Sequence, residues 1–117
     1  MIHLKKIRIP LYFIDLKIIF TDNLSEIQEK YNFSDLSKYS AITFKNTKSK
    51  DNECIVAFSE YDLSVIAHEI VHIKNYVFRE TSMKLCKDND EAEAYLTGFL
   101  FKEIESFLVK NKKALHK

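Results

Sequence analysis

The chain has 117 residues, is 46% hydrophobic and 30% charged, and carries a formal net charge of +1. That length supports one domain with one core, and the apolar share is too high for a disordered chain. Near-neutrality argues against a polyanion-binding surface, so Lys5, Lys6 and Arg8 at one end and Lys110, Lys112, Lys113 and Lys117 at the other read as solvated termini, and no nucleic-acid partner is expected.

From about Ile7 to Phe20 the chain is rich in Ile, Phe, Tyr and Leu, a strand composition, with Pro10 inside the run. One bent strand and a hairpin turning near Ile14–Asp15 both fit. Pro10, Asp15 and Lys17 break any signal-peptide core or spanning helix, which makes the expected setting cytoplasmic, with no membrane partner. Thr21 or Asp22 can cap a short helix reaching about Tyr31. Two strands follow, near Ser40–Lys45 and Glu53–Phe58, separated by the turn-forming segment Asn46–Asn52.

Ser59 and Asp62 form an S-x-x-D capping pair at the entry of a long helix running to Phe78 or Arg79. After a loop from Glu80 to Lys87, Asp88 can cap a last helix to about Val109, followed by a frayed basic tail. Cys54 and Cys86 form no C-x-x-C pair and are too few for a disulfide framework, which favours free thiols in a reducing compartment.

The long helix carries the chemistry. His68–Glu69–Ile70–Val71–His72 is an H-E-x-x-H run, and residues four apart on a helix share a face. Two imidazoles so placed can ligate one tetrahedral Zn²⁺, while Glu69, about 100° round the axis, can take a proton from a metal-bound water without being a ligand. Leu63, Ile66, Ile70, Ile73 and Val77 fall on the opposite side of the helix. Two core histidines would instead lie within that apolar stripe.

A catalytic zinc site takes a third protein ligand. The next acidic cluster, Asp88–Asn89–Asp90–Glu91–Ala92–Glu93, opens the last helix, far enough beyond His72 for the chain to turn back. Glu91 and Glu93 lie about 160° apart on that helix, so one of them at most can face the metal. Ala94, Tyr95 and Gly98, the chain's one glycine, share Glu91's side and would allow close helix approach, which selects Glu91. Asp88 and Glu91 also fit a capping box, the competing reading. His3, His116 and Cys86 are rival ligands in principle, and each reads better as an isolated side chain.

His68–Glu69–x–x–His72 followed by Glu91–x–x–Ala94–Tyr95–Leu96 resembles the gluzincin metallopeptidases, most of all the minigluzincins and the small zinc-dependent peptidases of bacteriophages and prophages. The similarity covers about Tyr61 to Phe101. It implies one Zn²⁺ per chain held by His68, His72 and Glu91, with Glu69 as general base and acid. It implies an α+β fold, a small twisted, mainly antiparallel sheet of three or four strands packed on the H-E-x-x-H helix and a glutamate helix. It also implies a peptide or protein substrate added along the strand Cys54–Phe58 as an edge.

The resulting expectation is a zinc-dependent metalloendopeptidase in a single minimal domain, residues 1–117. Tyr95 and Tyr61 are the candidates for a donor to the oxyanion. The alternative is a catalytically silent or latent zinc-binding interaction module of phage or prophage origin. Under this resemblance, no long C-terminal subdomain of the kind with which larger gluzincins complete their cleft is expected.

Overall fold

The computed structural model describes residues 1–10, 12–82 and 90–115. Its elements are β1 (Ile2–Ile9), β2 (Ile14–Thr21), α1 (Ser25–Gln28), β3 (Ala41–Lys45), β4 (Glu53–Phe58), α2 (Leu63–Glu80) and α3 (Asp90–Leu115). The fold is α+β. Four strands form one mixed sheet in the order β1-β2-β4-β3, antiparallel except for the parallel pair β2–β4.

β4 is buried along its whole length, and β2 nearly so, because each is flanked by strands and covered on both faces. This is why both read as almost continuous apolar runs rather than alternating ones. Successive side chains point to opposite faces. Leu16, Ile18, Phe20, Val56 and Phe58 meet Ile66, Ile70, Ile73 and Val77 of α2 and Leu96, Leu100, Ile104 and Leu108 of α3. On the other face Ile19, Ile55 and Ala57 are closed over by Leu24, Ile27 and Leu36.

Several local expectations are corrected. The N-terminal run is a hairpin, but it turns between Ile9 and Ile14, ahead of Ile14–Asp15. Phe13 reverses the chain there with φ 55°. The short helix ends at Gln28, and the turns after it close at Asn32, left-handed at φ 63°, where the Phe33 backbone N–H donates to Gln28 O at 2.8 Å. That turn delivers Tyr31 and Phe33 edge-on to Phe44, with ring centroids at 5.2 and 4.8 Å. Neither Thr21 nor Asp22 caps α1, as the Thr21 hydroxyl is committed to Glu26.

α2 is capped by Asp62 alone, whose Oδ1 accepts from the backbone N–H of Ser64 at 2.8 Å and of Val65 at 3.4 Å. Ser59 instead prolongs the β3–β4 pairing, its backbone N–H donating to Ser40 O at 2.9 Å. The apolar stripe of α2 is buried as expected at Ile66, Ile70, Ile73 and Val77, whereas Leu63 in the first turn is exposed. The last helix continues to Leu115, where a frayed tail from Lys110 was expected. The expected cap Asp88, like Cys86 and His116, lies outside the described residues. No described helix is long and apolar enough to cross a membrane.

Candidate metal and catalytic site

The side of α2 turned away from the core carries His68 and His72, both exposed. One turn of helix separates them, and their Nε2 atoms converge to 3.3 Å, with ring centroids 5.0 Å apart. Two nitrogens bound to a tetrahedral zinc at 2.0–2.1 Å would stand about 3.3–3.4 Å apart. The pair therefore has the separation that the ion requires before any side chain moves.

Glu69 points between the helix and the sheet. It is buried, 5% exposed, in contrast to the imidazoles beside it. Its Oε1 accepts a hydrogen bond from the Thr43 hydroxyl of β3 at 2.7 Å, and its Oε2 stands 3.9 Å from His68 Nε2. The strand alternation that sends Ile42 and Phe44 to the second core turns Thr43 toward α2. Two clefts open here. One, about 420 Å³, is lined by Ser40, Ala41, Ser64, Val65, His68 and Glu69. The other, about 240 Å³, brings Tyr39 and Thr43 to Glu69 and both histidines.

The third expected ligand is not brought to this pair. Glu91 is exposed on α3, and among the described residues no three His, Cys, Asp or Glu side chains gather as a metal site. A carboxylate of α3 that does reach α2 is Glu93, paired with Lys74 at 2.9 Å. The close approach expected at Ala94 and Gly98 is overturned. A Cβ at Gly98 would meet nothing within 4 Å, and Ala94 and Tyr95 are exposed. α3 packs through Leu96, Leu100, Ile104 and Leu108, which puts the Tyr95–Gly98 side outward.

Neither tyrosine expected near the oxyanion is held there. Tyr61 donates its hydroxyl to Glu105 of α3 at 2.7 Å, and Tyr95 is 60% exposed. His3 lies on β1, away from the pair. The strand Cys54–Phe58, expected as the substrate edge, is interior, paired with β2 on one side and β3 on the other. Among the described residues, the edge strand beside the site is β3.

Thr43 and Tyr39 were missed in the sequence. A threonine alternating with Ile42 and Phe44 is ordinary strand composition, and its bond to Glu69 arises from long-range packing alone. No family model, curated protein or solved structure matches the chain.

Proposed function

We propose that the protein is a zinc-dependent peptidase in which His68 and His72 hold the metal and Glu69 is the general base and acid. The observation that carries this reading is the 3.3 Å convergence of the two Nε2 atoms with a carboxylate oxygen of Glu69 at 3.9 Å from one of them. A structural metal pair has no use for a proton acceptor at its side. The reading is also supported by the resemblance of the H-E-x-x-H segment to the gluzincins. Bound zinc would supply Lewis acidity, lowering the pKa of a water and polarising the scissile carbonyl.

The residues of the chain do the rest. The exposed imidazoles of His68 and His72 would hold the metal from one rigid turn of α2. Glu69, walled in by β3, accepts a proton and returns it to the departing amine. A substrate peptide adds to the open edge of β3, Ala41–Lys45, so its backbone runs alongside Glu69 and the histidine pair. Glu91, in the first turn of α3, is the carboxylate that would supply the third ligand.

A second reading, a zinc-binding interaction module without turnover, is favoured by the exposed position of Glu91 outside the pair. One experiment separates the two. Zinc content is measured and a peptide library is assayed for wild type and Glu69→Gln. The peptidase reading expects both proteins to bind one zinc and the wild type alone to cleave. Equal inertness of both, with zinc bound, would favour the module.

A further inference from the structure

Glu69 belongs to α2, yet its carboxylate is held from β3. The Thr43 hydroxyl donates to Oε1 at 2.7 Å, and the other oxygen, Oε2, faces His68 Nε2 at 3.9 Å. In water the two oxygens of a glutamate exchange roles freely by rotation about the side chain. Here burial and the hydroxyl make them unlike. We infer that Thr43 is a positioning residue for the proposed hydrolysis: it fixes Oε1 and leaves Oε2 to carry the proton beside the imidazole pair.

The physical case has three parts. A carboxylate that is 5% exposed keeps little contact with water, so a donor from the protein helps to hold it in one place. Threonine is β-branched and stiff at χ1, so its hydroxyl is aimed by the strand rather than by a flexible stem. β3 is also the open edge of the sheet, so a peptide paired with it and the base tied to it share one frame of reference. A base held in register with its substrate gains in the reaction step, not in binding.

The inference rests on the peptidase reading, and the test separates the two. Zinc-loaded wild type, Thr43→Val and Thr43→Ser are compared, with Thr43→Ala in parallel so that a folding defect of the valine variant does not decide the outcome. Loss of the hydroxyl is expected to lower kcat about ten- to hundredfold with little change in KM or zinc content, and serine to restore most of it. In the zinc-free proteins, the carboxyl ¹³C resonance of Glu69, assigned by its disappearance in Glu69→Gln, should move in the valine and alanine variants and stay in place in the serine variant.

An unchanged kcat in the valine and alanine variants, a loss confined to KM, or an unmoved resonance overturns the role of Thr43 while leaving peptidase activity standing. A wild type that binds zinc and cleaves no peptide overturns the peptidase reading, and the role of Thr43 with it.

Discussion

Lys74 Nζ of α2 and Glu93 Oε2 of α3 meet at 2.9 Å, an ion pair that joins the two helices beside the apolar face through which α3 packs. Both side chains are partly shielded, at 15% and 33% exposure. A pair of this kind is worth more than a fully exposed one and is still screened by solvent. Lys74→Met is expected to destabilise the protein by about 1 kcal/mol, and Glu93→Gln by a similar amount. In a double-mutant cycle by urea denaturation, the two losses should not add.

The same geometry sharpens the question of the third ligand. If Glu91 completes the site, Glu91→Ala weakens zinc binding by more than the about 10–100-fold typical of losing an outer partner of a ligand. Glu93→Ala then leaves zinc affinity near that of wild type. Competition with a chromogenic chelator measures both. The reverse ranking would move the assignment to Glu93, with Lys74 as the group it must leave.

Much of the frame was legible because it depends on local pattern. The 3.6-residue period of Ile66, Ile70, Ile73 and Val77 announced both the helix and its buried side, and placed His68 and His72 on the other. The bounds Glu53–Phe58 followed from an apolar run closed by turn residues on one side and Ser59 on the other. What stayed hidden depends on pairing across the chain. Nothing in Glu53–Phe58 says that β2 and β3 both claim it, so an interior strand looked like an edge. The small side chains Ala94 and Gly98 suggested a contact face, whereas the larger Leu96, Leu100 and Ile104 form it.

Phe13 sits in the left-handed region at φ 55° with 77% of its surface exposed, so its ring gains little burial in return for the strained backbone. A left-handed residue with a Cβ costs roughly 1–2 kcal/mol, and asparagine tolerates that region better. Glycine would relieve the strain too, but it also frees the unfolded chain, which offsets part of the gain. Phe13→Asn is therefore expected to stabilise the hairpin by about 1 kcal/mol, and Phe13→Gly by less. Thermal unfolding of the two variants gives the ranking.

Glu53 is 2% exposed at the start of β4, with Asn46 Nδ2 donating at 2.7 Å and the ammonium groups of Lys6 and Lys17 at 3.2 and 3.9 Å. Burial pushes its pKa up, but the bonds from Asn46 and Lys6, with the charge of Lys17, outweigh that and hold it below the ordinary carboxylate value. A lowered folded pKa stabilises the protein above the unfolded value, and that contribution is lost as pH falls through the folded one. Asn46→Ala should cost about 1–3 kcal/mol near neutral pH by stripping a donor from a buried carboxylate. It should also make stability less dependent on pH across the acid limb, as read from urea midpoints at successive pH values.

Cys54 lies fully buried in β4, and burial pushes its thiol up to about 12. The thiolate is the reactive species, so the folded protein should be inert at this position toward an aromatic disulfide reagent at pH 8. In a Cys86→Ser variant, where Cys54 is the remaining thiol, labelling then proceeds only through opening of the sheet and becomes fast in denaturant. The raised value also sets an alkaline limit. Above the ordinary thiol value of 9.0 the unfolded chain ionises while the folded one does not, so stability falls as pH rises from there toward 12. Rapid labelling of the native variant at pH 8 would mean that β4 is not held as an interior strand, and the open edge beside Glu69 would then have to be sought elsewhere than at β3.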